Sequence, residues 1–249
     1  MDSISNWSRD SGARRRLAYL LRRTFGRPDG RELSLEDLRL RMQERGLQPR
    51  VFLEIGANDG TDTNRLLEAF PEIEIHCFEP DPRAIAAFER NVHSPRAHLH
   101  KIAIGAADAT MTLYQSTGAP PGREVEFPDG YHLSGSLRAP KKHLDVHPWC
   151  KFETSIEVPV QRLDTWASKA GISAVDFIWA DVQGAEIDLI SGGRFTLQST
   201  IFFCTEYALL ELYEGQVSLK EIQASLPNHN LIDRFQNDAL FELISGSNQ

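Results

Sequence analysis

Cysteine is scarce in this sequence, and long apolar runs are missing from it. The 249 residues include three cysteines, Cys77, Cys150 and Cys204, an odd number without the paired spacing of a disulfide framework or a zinc site. Cys77 and Cys204 lie within apolar runs and are predicted to be small core residues. No apolar stretch reaches the ~18 residues that a membrane span needs, and no signal-peptide core is visible. These absences predict an intracellular, cytoplasmic protein.

Positive charge is scarce outside the first fifty residues. The formal net charge is −8, yet residues 1–50 hold 12 Lys and Arg against 7 Asp and Glu, whereas residues 51–249 hold 15 against 28. Leu17, Leu20 and Leu21 recur at helical spacing between arginines, which predicts a basic amphipathic helix. Such a helix either packs on the rest of the protein or binds an anionic partner or a membrane surface. The acidic remainder argues against a nucleic-acid partner.

From residue 49 onward, short apolar runs alternate with helical patterns. This alternation predicts an α/β domain with a parallel sheet covered by helices on both faces. Residues 1–48 are predicted to form a basic helical N-terminal extension, and residues 49–249 to form the main domain. Predicted strands cover residues 51–55, 73–78, 99–104, 110–114, 156–160, 175–181, 200–207, 230–235 and 239–244. Predicted helices cover residues 34–46, 64–70, 82–91, 185–191 and 219–226, and another begins at Asp164.

Residues 115–155 interrupt this rhythm. The segment is rich in proline and glycine and also carries His132, His143, His147 and Trp149. A long irregular insertion in a compact domain is typical of a lid or a binding loop, or of a disordered segment. We interpret it as a substrate lid. Three histidines could bind a metal, but spacings of 11 and 4 residues in a loop are weak grounds, and no metal is predicted.

Two strands that neighbour each other along the chain are followed by polar residues. In an open parallel sheet, ligands bind outside the carboxyl ends of the strands. The stretch "FLEIGANDG" supplies Glu54, Gly56, Asn58 and Gly60, with a G-x-N-x-G spacing that differs from the G-x-G-x-x-G of dinucleotide binders. Glu79 ends "IHCFE", 23 residues after Gly56, where a carboxylate can accept both hydroxyls of a ribose. The alternatives are an ordinary strand-to-helix turn and a helix-capping acid.

A third strand ends in the carboxylate of Asp181, within "FIWADVQGAE". A carboxylate beside a buried strand costs free energy unless it is paired, so a ligand in a cleft is one explanation for Asp181. The other is a structural acid that caps the helix beginning near Gly184. Glu186 is better explained as an acid in a first helical turn, and Asp164 in "RLDTW" as a helix N-cap.

Four stretches resemble one known family. "EIGANDGTDT", "FEPD", "VPVQRLDTW" and "DFIWADVQGAEIDLISGG" are similar to the FkbM-type S-adenosylmethionine-dependent methyltransferases. The resemblance covers roughly residues 50–245, and the last stretch is its most specific part. Many members carry a lysine two residues before the aspartate, a position that Trp179 occupies here.

The resemblance implies both a fold and a binding site. The implied fold is Rossmann-like, with a mostly parallel central sheet, an antiparallel last strand and helices on both faces. S-adenosylmethionine would lie with its methionine part beside the loop from Gly56 to Gly60, its ribose on Glu79, and its adenine by Ile102 and Ala103. Asp181 would then face the amino group of the cofactor and the acceptor.

The implied reaction is O-methylation of a hydroxyl on a sugar or secondary-metabolite acceptor. A hydroxyl nucleophile benefits from a general base, and the candidates are Asp181, His132 among the insertion histidines, and Glu206 at the end of "FFCTE". Two alternatives stay open at this point. One is a non-catalytic module that binds a cofactor or a partner. The other is a nucleotide-cofactor oxidoreductase, which the glycine spacing disfavours.

Overall fold

A seven-stranded sheet forms the centre of the protein. The computed structural model describes residues 33–127, 130–235 and 237–244. The spatial order of strands in this sheet is β3-β2-β1-β7-β8-β10-β9. Its strands are β1 (Val51–Ile55), β2 (Glu74–Phe78), β3 (Ala97–His100), β7 (Val175–Ala180), β8 (Thr200–Glu206), β9 (His229–Arg234) and β10 (Asp238–Leu243).

Strand directions confirm the predicted sheet. The strands β3, β2, β1, β7 and β8 pair in parallel. The last strand, β10, runs antiparallel to both of its neighbours, β8 and β9. The order reverses beside β1, so the carboxyl ends of β1 and β7 adjoin the switch point where α/β folds bind ligands.

Helices cover both faces of this sheet, as predicted. The helices are α1 (Leu35–Glu44), α2 (Thr61–Ala69), α3 (Pro82–Asn91), α4 (His143–Val146), α5 (Leu163–Ala170), α6 (Glu186–Gly192), α7 (Arg194–Gln198) and α8 (Leu219–Ala224). One core cluster packs Trp166, Leu189 and Ile222 of α5, α6 and α8 against one face. The other packs Leu38 and Leu66 of α1 and α2 against the opposite face.

Local sequence signals explain where several helices begin. The Ser34 side chain caps α1, and Asp81 caps α3 ahead of Pro82 at its first position. The helix predicted from residue 64 begins earlier, at Thr61, because Gly60 adopts the left-handed backbone (φ 78°) that turns the chain into α2.

Asp164 does not cap its own helix, contrary to the expectation. It lies inside α5, and its Oδ1 accepts hydrogen bonds from the backbone N–H groups of Phe195 and Thr196 at 3.1 and 2.8 Å. The carboxylate therefore caps α7, whose own N-cap, Gly193, has no side chain to do so. A spatial neighbour thus supplies the cap.

A second, three-stranded sheet differs from what the sequence predicts. It has the order β4-β6-β5, with β4 (Ala103–Ile104), β5 (Ala109–Gly118) and β6 (Cys150–Gln161). The strand predicted over residues 99–104 is broken at Lys101–Ile102, since its first half belongs to the central sheet and its second half to this one. Residues 115–118 and 150–155, predicted as irregular, lengthen the antiparallel pair of β5 and β6. Residues 119–149 lie between these two strands, and their described part includes the short helix α4.

The end of the predicted N-terminal extension is integrated with the main domain. Leu33, Leu38 and Met42 are buried in the core. Arg41 and Arg45 form ion pairs with Asp233 and Glu242 on the last two strands, at 2.7 and 2.6 Å. The predicted basic helix around Leu17 to Leu21 lies outside the described residues.

Cys77 and Cys204 are buried in the core, as predicted, and Cys150 is buried as well. Within the described ranges, no helix is both long and apolar enough to cross a membrane.

Candidate active site

A cavity of about 620 Å³ opens at the carboxyl edge of the central sheet. Its floor is formed by the ends of β1, β2, β7 and β8, and residues of the 119–149 segment lie across it. This volume is typical of small-molecule sites. The cavity collects nearly every candidate from the sequence: Glu54, Gly56, Asn58, Glu79, Ile102, Ala103, His132, Asp181 and Glu206. Gly60 is the candidate that does not line it.

The loop after β1 requires glycine where it passes the end of β7. Gly56 has φ 94°, and a Cβ there would lie 1.9 Å from the carbonyl oxygen of Asp181. The backbone N–H groups of Gly56 and Ala57 both donate to the carbonyl of Phe78. Close packing between backbones is therefore the direct reason for Gly56. It also brings the loop to the same point as Asp181.

Glu79 directly follows β2, and its carboxylate can accept hydrogen bonds from a ligand in addition to those it accepts from the protein. Its Oε2 accepts the backbone N–H of Asn58 at 2.9 Å, and its Oε1 accepts that of Asp81 at 2.8 Å. Burial raises the pKa of Glu79 to about 7, although both N–H groups oppose the rise. A carboxylate offers about four acceptor positions, so both oxygens can still accept hydroxyl protons from a ribose.

Glu54 is turned towards α2. Its Oε2 accepts a hydrogen bond from the hydroxyl of Thr63, and the thiol of Cys77 lies 3.8 Å away. Burial raises the pKa of Glu54 to about 8. At neutral pH this carboxyl is therefore largely protonated, and it contributes less negative charge to the cavity than its residue type suggests.

Asp181 and Glu206 end the adjacent strands β7 and β8 and share one donor, Gln183. The Nε2 of Gln183 lies 2.6 Å from Asp181 Oδ1 and 3.0 Å from Glu206 Oε2. The Oε1 of Gln183 lies 2.8 Å from the hydroxyl of Tyr213, and the hydroxyl of Ser136 donates to the Gln183 carbonyl at 2.6 Å. Burial raises the pKa of both carboxyl groups, and the neighbouring Asp181 raises that of Glu206 further.

Gln183 and Tyr213 are site residues that were not predicted from the sequence. Gln183 lies in the quoted "DVQGAE", where its position two residues after Asp181 was an available signal. The chain around Tyr213 carries no motif, and only the folded structure brings it to the site. Trp179, at the position of the family's lysine, does not line the cavity and packs beside Phe177, with the two ring centroids 6.1 Å apart.

Three histidines of the 119–149 segment reach the cavity. His132 Nδ1 lies 3.4 Å from the carbonyl oxygen of Gly130, and its buried Nε2 has no hydrogen-bond partner among the described residues. His143 is buried with its ring 5.0 Å from that of His147, and burial, followed by His147, lowers the pKa of His143 to about 4. No group of His, Cys, Asp or Glu in the described part of the chain has metal-site geometry.

The residues that line the cavity are mostly acidic where they are ionisable, and their charge indicates which ligands the cavity can bind. Among the described residues, no lysine or arginine lines it, whereas seven acids do: Glu54, Asp59, Asp62, Glu79, Asp81, Asp181 and Glu206. Such a lining favours a ligand with a sulfonium and an ammonium group, and it repels a pyrophosphate. The residues present therefore fit S-adenosylmethionine better than a dinucleotide.

The sequence profile described as "Methyltransferase FkbM domain" matches residues 54–242, from the last two residues of β1 to the penultimate residue of β10. The chain belongs to the FkbM methyltransferase family. Its matched region contains the cavity from Glu54 to Glu206. As a member of this family, the protein is a methyltransferase, and S-adenosylmethionine is its methyl donor. The oxidoreductase and non-catalytic alternatives are set aside.

Other known proteins are similar to this FkbM methyltransferase. The 2-O-methyltransferase NoeI of Sinorhizobium fredii (strain NBRC 101917 / NGR234) is 43% identical over 186 residues, 74% of each chain. Among solved structures, the S-adenosylhomocysteine-bound methyltransferase PaMTH1 of Podospora anserina is 12% identical, covering 98% of this chain and 99% of its own, with a TM-score of 0.36. The sugar N-methyltransferase KedS8 of Streptoalloteichus is 16% identical, covering 84% and 60%, with a TM-score of 0.33.

Proposed function

We propose that this FkbM methyltransferase transfers the methyl group of S-adenosylmethionine to a hydroxyl of a sugar, with Asp181 accepting the hydroxyl proton. The observation that carries the proposal is the position of Asp181, between the Gly56 loop on one side and the histidine-bearing 119–149 segment on the other. The name of the relative NoeI supports an oxygen nucleophile, and its 2-O locant is the numbering used for sugars and other polyols.

Physical chemistry explains why so few groups are needed. A sulfonium methyl is already a good electrophile, so holding the acceptor oxygen in line with it supplies roughly 7–11 kcal/mol of the barrier. A positioned base adds about 10²–10⁴-fold. The donor's positive charge would lie beside the carboxyl of Asp181, and Glu79 would accept its ribose hydroxyls. The role of this chain is therefore orientation, exclusion of water and proton acceptance.

We propose residues 119–149 as the substrate lid. Tyr131 and His132 of this segment line the cavity, and the Tyr131 ring packs edge-on against Trp149 with centroids 4.9 Å apart. Aromatic rings with a polar end suit an acceptor with both C–H faces and hydroxyl groups. His132, with its unpartnered Nε2, would donate to or accept from such a hydroxyl.

Donor binding is the first test. S-adenosylhomocysteine should raise the melting temperature of the purified protein, because a ligand at 100 times its dissociation constant adds about 2.7 kcal/mol to the free energy of unfolding. NAD at the same concentration should leave it unchanged. A shift with NAD alone would remove the basis of the proposal.

Methyl transfer is the second part of the test. Mass spectrometry of reactions with a panel of methyl hexosides should detect one added methyl group, and the deoxy form that lacks the methylated hydroxyl should not react. Asp181→Asn keeps the shape and removes the charge, so turnover should fall by at least about tenfold while the melting temperature is retained. Full activity of this variant would exclude Asp181 as the base.

A further inference from the structure

Two carboxyl groups meet where one base would suffice. In the parallel ladder of β7 and β8, Ala180 is opposite Thr205, so the next residues, Asp181 and Glu206, leave the sheet side by side. One nitrogen, Gln183 Nε2, lies 2.6 Å from Asp181 Oδ1 and 3.0 Å from Glu206 Oε2, so the two carboxyl groups lie close together. Two ionised carboxylates at such close range repel each other, and a single proton held by the pair removes that repulsion.

In the described part of the chain, no lysine or arginine lines the cavity beside this pair. The titratable side chains that interact with it there are acids, phenols and a thiol: Asp62, Glu79, Glu186, Asp238, Tyr131, Tyr213 and Cys204. Gln183 contributes only a neutral amide. A second buried negative charge would therefore be uncompensated, which costs several kilocalories in a protein interior.

Gln183 holds the pair in place, and its own orientation is fixed by three contacts. It has a positive φ of 49°, its carbonyl accepts from Ser136, and its Oε1 faces the hydroxyl of Tyr213. The hydroxyl of Tyr213 lies 2.8 Å from Gln183 Oε1 and 3.0 Å from the carbonyl oxygen of Ser134, and with Oε1 on this side the NH₂ group points at the two carboxyls. The donor thus occupies the position between Asp181 and Glu206.

We infer that Asp181 and Glu206 form one acid–base unit that holds a single proton and carries one negative charge towards the donor sulfonium. The inference rests on the proposed function and extends it from a single base to a pair. It also assigns a purpose to Glu206, which a mechanism with Asp181 alone leaves without one.

The proton and electron balance of the reaction suits such a unit. The acceptor hydroxyl gives its proton to the pair while its oxygen forms a bond to the methyl carbon. The S–C bond breaks, and its electron pair stays on sulfur. The sulfonium thereby loses its positive charge, while the pair gains a second proton and loses its negative charge. The cavity begins and ends with no net charge from these groups, so no new charge is left in a poorly solvated site.

The test compares two ligands that differ by one charge. S-adenosylmethionine carries the sulfonium, whereas S-adenosylhomocysteine is neutral at sulfur. The ratio of their dissociation constants, measured by calorimetry at neutral pH, therefore reports the negative charge beside that sulfur. Binding of S-adenosylhomocysteine also shows that each variant is folded. The variants are Asp181→Asn, Glu206→Gln and the double substitution, with Glu214→Gln as the control because its carboxyl is exposed and does not line the cavity.

A pair with one shared proton predicts an unusual pattern. Each single substitution leaves one ionised carboxylate, so the ligand ratio should stay within about threefold of the wild-type value. The double substitution removes the charge and should lower the preference for the sulfonium by at least about tenfold. Glu214→Gln should leave the ligand ratio unchanged.

Two other patterns would overturn the inference. If each single substitution lowers the ratio and the double lowers it by the product, both carboxylates are ionised and independent. If the double substitution leaves the ratio unchanged, the pair does not face the sulfonium. Failure of the proposed function would look different, because no glycoside would then be methylated, whereas the ligand ratios are measured without an acceptor.

Discussion

Glu186 is the clearest case of a buried carboxyl outside the cavity. Its Oε1 accepts the backbone N–H of Gly184 at 2.9 Å, while its Oε2 has no partner among the described residues. Burial raises the pKa of Glu186 to about 7. Because the folded state favours the neutral form, this residue's contribution to stability is complete below the ordinary carboxyl pKa. It is lost as the pH rises through about 7.

Glu186→Gln should therefore change the pH dependence of stability. The glutamine stays neutral at every pH. The melting temperature of the variant should therefore rise relative to that of the wild type as the pH increases from about 5 to about 8.5. The melting temperature measured by scanning calorimetry across this range gives the comparison. Glu214→Gln, at an exposed position, is the control, and its curve of melting temperature against pH should run parallel to that of the wild type. Parallel curves for Glu186→Gln would show that its carboxyl is not held neutral in the folded state.

At the scale of elements, the 119–149 segment is tied to the chain that follows β8. Arg138 donates to Asp188 of α6 at 2.7 Å and to the carbonyl of Glu214 at 2.9 Å. Backbone bonds join Lys141 to Leu212 and Glu214 to Ala139. The proposed lid is thus fastened on the side of the cavity that carries Tyr213.

Arg138→Met should loosen this lid and leave donor binding intact. Hydrogen bonds to a charged group are worth about 1.5–3 kcal/mol, so the open state should become about tenfold or more populated. Chymotrypsin should then cleave the segment correspondingly faster, and the KM for the acceptor should rise. The dissociation constant of S-adenosylhomocysteine should stay within about twofold.

Lys141→Met is the matched control for the lid. The ion pair between Lys141 and Glu211 is about half exposed, with 47% of the Lys141 side chain accessible, and such pairs contribute about 0–1 kcal/mol. Cleavage should therefore change little in this variant. Equal cleavage rates for both variants would mean that Arg138 does not hold the segment closed.

At the scale of the whole molecule, the basic N-terminal segment and the packed core overlap along the chain. The excess of basic residues covers residues 1–50, yet Leu33, Leu38 and Met42 are buried in the core. We therefore propose that residues 33–48 belong to the folded unit together with residues 49–249. The proposed anionic or membrane partner of the basic segment concerns residues 1–32.

Two deletions test whether residues 33–48 belong to the folded unit. Removal of residues 1–32 should leave the melting temperature within a few degrees and the affinity for S-adenosylhomocysteine within a few-fold. Removal of residues 1–48 exposes the apolar surface under Leu38 and Met42 and breaks the Arg41–Asp233 pair, so cooperative unfolding should be lost. Calorimetry distinguishes the two. Loss of donor binding in the shorter deletion would place part of the site in residues 1–32.

The same pair of proteins tests the basic segment. The full chain should sediment with vesicles of phosphatidylglycerol at low salt, and the chain without residues 1–32 should not. Absence of sedimentation for the full chain would leave packing on the main domain as the explanation of the basic pattern.

Local sequence patterns determined much of the architecture. The bounds of β1 and α3 match their predictions, because a short apolar run and a capped, Pro-initiated helix are set by neighbours in sequence. The convergence of Glu79, Asp181 and Glu206 also followed from sequence. Residues that end parallel strands must meet at one edge of the sheet, whatever the details of packing.

Only the tertiary structure decided which groups these residues contact. Asp164 caps a different helix from its own, β5 pairs with a strand that follows about forty residues later, and Tyr213 reaches Gln183 from a segment without a motif. Each contact depends on long-range chain geometry, which local periodicity does not encode. Whether Asp181 and Glu206 ionise separately is decided in the same way, because burial and a neighbouring carboxyl exist only after the strands have paired.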